Sequence, residues 1–363
     1  MTSFRRSGSL FGPSHFQESM DQQFLRALGG DDERGEELVR RSSAGPWGRV
    51  VRVDRTSVSI LTNIGDERVE QPTSADPLVV GDWIALVEGV PMPLARRTEL
   101  VRRVGAYRDQ RQSMAANIDI VLIVRALDVP LRLNRLSTLV VMAYDSGATP
   151  LVVLTKADLY DGDEDICALV RSGLGGVDAL AVSTTTGEGV SELRQRIDGH
   201  TIILLGESGA GKSTLTNELC GHEQLSTAEV RRDGQGRHTT THRELVIIPT
   251  GGVVIDTPGI REAASFGSGE GVELAFHDVA ALIEACEFND CDHVQTSGCA
   301  VRGALASGAI EQARVDAYFH ERREQQWLDN RLESRDRTAT KKKLREQRAK
   351  IRKRDDRPQR DDG

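Results

Sequence analysis

The sequence predicts a multidomain chain: a small N-terminal β-barrel, a central α/β domain on a mostly parallel sheet, and a mainly helical end that binds metal. Three observations predict it. Short strand-like runs with Gly and Pro punctuation follow one another from Gly48, the pattern of a small barrel. Continuous apolar runs such as "IDIVLIV" (118–124) then alternate with helical stretches, as buried parallel strands do. Three cysteines and a histidine cluster between positions 286 and 299, and clustered cysteines outside an oxidising compartment mean metal more often than disulfide.

Taken in order, residues 1–45 are polar and rich in Gly, Ser and Arg, without sustained period. They read as a largely disordered arm with at most one short helix. Residues 46–111 hold the barrel, with "GRVVRVDRTSVSIL" alternating and "GDWIALVEG" and "TELVRRVGAY" as further strands. The α/β domain takes 112–264. Its strands are "IDIVLIV", "TPLVVLTKAD", "VDALAVSTTTGEG", "HTIILLGESGAGKST" and "GGVVIDTPG". "LNRLSTLVVMAYDSG" reads as a helix closed by Gly147, and "GVSELRQRI" as another. "SFGSGEG" (265–271) is a flexible joint into a helical domain, 265–334, whose first helix carries an apolar stripe of Leu274, Val279, Leu282 and Ile283.

Composition sets limits. The 363 residues suffice for two or three domains, and at 38% hydrophobic they can bury a core. Only 4% are aromatic, which argues against a surface of base-stacking rings. There is no apolar run of about 18 residues to span a membrane and no secretory h-region in the first twenty residues, so a cytoplasmic protein is expected. The net charge of −8 conceals a basic tail, 335–363: from Arg335 to Arg354 there are eleven Lys/Arg against two Asp/Glu. A basic tail on an acidic body suits a polyanion.

Gly206-Glu207-Ser208-Gly209-Ala210-Gly211-Lys212-Ser213-Thr214 is a phosphate-binding loop between an apolar strand and a helix. Its glycines let N–H groups wrap phosphates, Lys212 supplies positive charge, and the Ser213 hydroxyl suits Mg²⁺. Asp256 ends the strand "VVID" and is placed to hold Mg²⁺ through a water, with the Gly259 N–H near the γ-phosphate. Thr155-Lys156-x-Asp158 also follows an apolar strand. A carboxylate there can accept from guanine N1–H and the 2-amino group, a donor pair adenine lacks. Ser183, at the next strand end, belongs to a loop that would back the base. This guanine-type motif lies some fifty residues before the phosphate loop instead of after it, a circular permutation of the usual GTPase order. Between the phosphate loop and Asp256, "GQGRHTTTHREL" occupies the place of a switch loop. Thr240, with Thr241 next, is expected to complete Mg²⁺ ligation. Ile260 stands where a water-positioning Gln is common, which leaves His238 as the candidate catalytic residue. Cys286, Cys291, His293 and Cys299 form a closed Cys₃His set of the kind structural zinc requires.

Together these motifs resemble the circularly permuted, small-ribosomal-subunit-dependent GTPases of the RsgA (YjeQ/YloQ) type. The matching stretches are "GDWIAL", "TKADL", "VSTTTGEGV", "GESGAGKSTLTN", "GRHTTTHREL", "IDTPGIRE" and "CEFNDCDHVQTSGCAV", between about residues 48 and 325. The resemblance implies an OB-fold barrel, a permuted P-loop GTPase, one zinc ion, Mg²⁺ with GTP, and His238 as the residue that positions water. It also implies GTP hydrolysis to GDP and phosphate, stimulated by the 30S subunit during late maturation, with rRNA as partner and the protein acting as a monomer away from membranes. The GTPase motifs alone leave open an action on the large subunit or another RNA.

Overall fold

The computed structural model describes residues 21–43, 45–72, 76–104, 110–221, 243–256, 269–331 and 334. Five antiparallel strands form the N-terminal barrel-like unit: β1 (Trp47–Val53), β2 (Ser57–Thr62), β3 (Gly65–Glu70), β4 (Trp83–Val87) and β5 (Val90–Pro93), in the order β5-β4-β1-β2-β3. Alternate side chains of β1, β2 and β4 meet inside it: Val50, Val58, Ile60, Ile84 and Leu86. A separate hairpin follows, β6 (Glu99–Val104) with β7 (Gln110–Ala116). β7 runs across the expected boundary at 111/112; its polar sequence "QRQSMAA" carries no strand signal until it is paired.

The central sheet contains β8 (Ile120–Ala126), β9 (Thr149–Thr155), β10 (Ala179–Val182), β11 (Thr201–Leu205), β12 (Arg243–Ile247) and β13 (Val253–Asp256), ordered β10-β9-β8-β11-β13-β12. All pairings are parallel except β12 with β13. The apolar runs are continuous because both faces are covered. Val121, Ile123, Val152, Leu154, Ile203 and Ile255 face one core. Leu122, Val124, Leu151, Val153, Ile202 and Val254 face the other. Helices Val190–Ile197 and Lys212–Cys220 close the second core, and helix Leu133–Asp145 the first. That helix ends as read, at Gly147 with φ +82°. β12, antiparallel to β13 and directly after a polar stretch, pairs on its other side with β1 through Arg52↔Glu244 and Val53↔Arg243, so barrel and α/β unit share one sheet.

Residues 21–43 are not a disordered arm. A helix over 21–27 and helix Asp32–Ser42 bury Leu25, Leu28 and Leu38 in the first core with Trp47 and Trp83. The period escapes detection because Gly29 (φ +73°) interrupts it after two turns. Asp31 caps the second helix by accepting from the Arg34 N–H at 2.8 Å. The remainder of the expected arm, 1–20, lies outside the described residues, as does the basic tail.

At the C-terminal end the expected single helix is two, Glu270–Ala275 and His277–Glu284, broken at buried Phe276. The break takes Leu274 off the stripe and leaves it 53% exposed, while Val279 is buried. Glu270 and Gly271, read as part of a joint, are helical, and Gly271 N–H donates to Asp145 Oδ1 at 3.0 Å. Helices Ala300–Ser307 and 312–331 follow. No helix among the described residues is long and apolar enough to cross a membrane.

Arg49 joins these parts. Its guanidinium is fully buried and donates to the carbonyls of Gly81 (3.0 Å), Asn117 (2.8 Å) and Leu28, and to Thr201 Oγ1 (2.8 Å), the first residue of β11. It lies 4.8 Å from the Trp83 ring centroid. Burial pushes its pKa down to about 9. Removing the side chain would strand several buried acceptors at once. Arg49→Met should therefore destabilise by roughly 3 kcal/mol, read by urea unfolding; a change below about 1 kcal/mol would contradict this role.

Candidate functional site

The registers Ala126↔Thr155, Thr155↔Val182, Ile123↔Leu205 and Ile203↔Ile255 bring the carboxyl ends of the five parallel strands level. The loops that follow them therefore emerge on one edge, where α/β sheets bind ligands.

The loop after β11 has Gly206, Gly209 and Gly211 at φ +148°, +80° and +85°. A Cβ at Gly206 would collide with the Val124 carbonyl on β8, so glycine is required there. Lys212 Nζ reaches back to the carbonyls of Gly206 (2.7 Å) and Glu207 (2.6 Å). Ala210 is buried beneath the loop, whereas Ser208, Ser213 and Thr214 are exposed. Ser213 and Thr214 stand in the first turn of helix Lys212–Cys220, whose N–H groups and dipole favour an anion.

Thr155 is buried, and its hydroxyl donates to the Ala210 carbonyl at 2.7 Å. It thus ties the loop after β9 to the loop after β11. Lys156 is left-handed (φ +59°), with Nζ 2.5 Å from Asp128 Oδ2 on the loop after β8. Asp158 sits in a short turn, Ala157–Leu159, and is exposed. The fully buried Ser183 hydroxyl donates to Asp158 Oδ1 at 2.6 Å and accepts from the N–H groups of Thr185 (3.2 Å) and Thr186 (3.1 Å). Ser183 therefore acts as an anchor for Asp158.

Asp256 ends β13, directly opposite Glu244 on β12. Burial and the Glu244 charge raise its pKa, against Lys212, which lowers it. His238, Thr240, Thr241 and Gly259 lie outside the described residues. The sequence did not single out Asp128, Glu244, Arg125 or Arg135. The last two, from β8 and from helix Leu133–Asp145, both pair with Glu207 in the phosphate loop; such partners become visible only when the strand order is known.

Cys286, Cys291, His293 and Cys299 do converge: their ligand atoms lie within 4.8 Å of one another. The Cys286 and Cys299 sulfurs are 3.6 and 3.7 Å from His293 Nδ1 and 4.0 Å apart. Tetrahedral zinc, with Zn–S about 2.3 Å and Zn–N about 2.0 Å, would require S···N near ~3.5 Å and S···S near ~3.8 Å. The set fits that ion. Cys299 caps helix Ala300–Ser307, its sulfur accepting from the Arg302 N–H at 3.4 Å. Asp292 holds the intervening loop by accepting from the N–H groups of Val294, Gln295 and Thr296.

A family model described as RsgA GTPase matches residues 94–265. A second, described as ABC transporter, matches 196–338, a span that includes the phosphate loop. The small ribosomal subunit biogenesis GTPase RsgA of Streptomyces coelicolor is 40% identical over 333 residues, 88% of this chain and 91% of that one. Among solved structures, YjeQ from Thermotoga maritima superposes with TM-score 0.54 at 24% identity, covering 77% of this chain and 98% of that one. YloQ, a circularly permuted GTPase, gives 0.56 at 21% identity, covering 77% and 95%. Both show the same fold.

Elemental analysis of the purified chain should find one zinc per molecule. Cys286→Ser should lose most of it and expose the Ala300–Ser307 helix to hydrogen exchange, because the apolar cluster at this end is small, built on Val301 and Val315 beside the ligands. Undiminished zinc in that variant would contradict the assignment.

Proposed function

Because the chain belongs to the RsgA GTPase family and is a GTP hydrolase, we propose that it works in the late maturation of the small ribosomal subunit. On this reading the 30S particle stimulates hydrolysis and rRNA is the surface it meets. The convergence of the permuted motifs on one sheet edge, flanked by the barrel and the Cys/His unit, carries the proposal. The name of the Streptomyces relative supports the ribosomal part. The protein is assigned to the cytoplasm as a monomer, divided into arm, barrel, GTPase unit, zinc unit and basic tail.

On this reading the residues take the following roles. Gly206–Gly211 N–H groups and Lys212 receive the phosphates. Asp158, held by Ser183, accepts from guanine N1–H and the 2-amino group, and the Lys156 stem lies along the base. Ser213, Thr240 and, through water, Asp256 offer the hard oxygen ligands that Mg²⁺ prefers; the ion, when bound, neutralises charge on the β- and γ-phosphates. From its place two residues after Thr257 in the D-T-P-G motif, Gly259 would offer its N–H to the γ-phosphate. His238 orients the attacking water, since Ile260 has no polar atom in its side chain. Cys286, Cys291, His293 and Cys299 hold a structural zinc.

Hydrolysis measured alone, with 30S and with 50S subunits tests the proposal. Strong stimulation by 30S alone is expected. Stimulation by 50S, or by neither, would overturn the small-subunit assignment in favour of another RNA partner. His238→Ala should retain GTP binding and lose roughly 10²- to 10⁴-fold in the stimulated rate; a normal rate would remove His238 from the mechanism.

A further inference from the structure

A carboxylate inside a phosphate loop opposes the ligand the loop is built to hold, and Glu207 is such a carboxylate. Two arginines answer it. Arg125 at the end of β8, with its side chain 8% exposed, pairs with Glu207 Oε2 and also donates to the Pro130 carbonyl at 2.5 Å. Arg135, in the first turn of helix Leu133–Asp145, pairs with Oε1. The Arg125 Nε is buried with no hydrogen-bond partner among the described residues, so this guanidinium is held for its charge at some expense. The hydrogen bond from Arg135, ahead of the charge of Arg125, holds the Glu207 carboxyl below its ordinary range.

The same helix carries the C-terminal unit. One turn beyond Arg135, Thr138 Oγ1 donates to Glu321 Oε1 at 2.6 Å on the helix over 312–331. At its far end Asp145 accepts from Gly271 N–H. Gly271 lies so close that a Cβ there would run into Asp145 Oδ1 and the Val141 carbonyl. Helix Leu133–Asp145 thus touches the phosphate loop through Arg135 and the zinc unit along the rest of its length.

We propose that Arg135 is a positioning residue of the nucleotide site: it neutralises Glu207, and through its helix it links occupancy of the phosphate loop to the docking of the Cys/His unit. This rests on the nucleotide reading of the loop. The linkage runs through packed helix contacts and does not require the chain that connects Asp256 to Gly269.

Fluorescent GDP binding and hydrogen exchange test it on the full chain. If wild-type protein binds no GDP, the nucleotide reading itself has failed. Given binding, Arg135→Gln should weaken it about threefold, the modest effect of a partly exposed pair. Glu207→Gln, which keeps both arginines, should tighten binding, and the double variant should recover at least wild-type affinity. GDP should increase exchange protection in 133–145 and 270–275 of the wild type, and Arg135→Gln should abolish the response in 270–275. If the double variant binds as weakly as Arg135→Gln, the neutralising role is wrong. If GDP leaves 270–275 unprotected in the wild type, the linkage is wrong.

Discussion

The carboxyl ends of β8, β9, β10, β11 and β13 must lie on a single edge of the sheet, and the rest of the molecule is arranged around that requirement. A parallel sheet enforces it, because each strand pairs level with its neighbour and each returning helix delivers the chain to the opposite edge. The site is therefore indifferent to where the chain begins. With the guanine-type loop ahead of the phosphate loop, the two meet in space: Thr155 bonds the Ala210 carbonyl, and Ser183 holds Asp158.

The permutation does change what the sheet can be attached to. β12, next to β13, pairs on its other side with β1 of the barrel, and the strand that opens the phosphate loop begins at Thr201, under Arg49. That one buried guanidinium gathers the helical N-terminal segment, the barrel, the residue after β7 and β11 into a common core. Helix Leu133–Asp145, in the same core, receives the helices that bear the Cys/His cluster. Both appendages therefore pack against the same core of the sheet, which holds Leu28 and Leu38 with Val140, Val141, Phe276 and Val279.

The sequence exposed those parts whose chemistry is local. Continuous apolar runs marked β8, β9, β11 and β13; glycine spacing marked the left-handed turn after β11; cysteine spacing marked the Cys/His cluster, whose distances are compatible with zinc. It hid what depends on distant pairing. β7 is largely polar, and β12 is a five-residue strand directly after a polar stretch, so neither has a period long enough to read. Helix Asp32–Ser42 has only Leu38 and Val39 as large apolar residues among its charges, and a left-handed Gly29 separates it from the helix over 21–27, so the shared core with Trp47 and Trp83 shows why they fold. Arg125 and Arg135 could not be linked to Glu207, since 82 and 72 positions separate them along the chain. Leu274 was misplaced because a break at Phe276 resets the helical phase.

The central claim is that scattered, reordered motifs build one guanine-specific site. Calorimetric titration of the wild type and Asp158→Asn with GDP, ADP and xanthosine diphosphate tests it directly. The account predicts that the wild type prefers GDP strongly over ADP, and that Asp158→Asn loses GDP affinity and gains affinity for the xanthine nucleotide, whose 2-oxo group suits an amide. A variant that keeps wild-type preference for GDP would place the base elsewhere and break the link between the two loops.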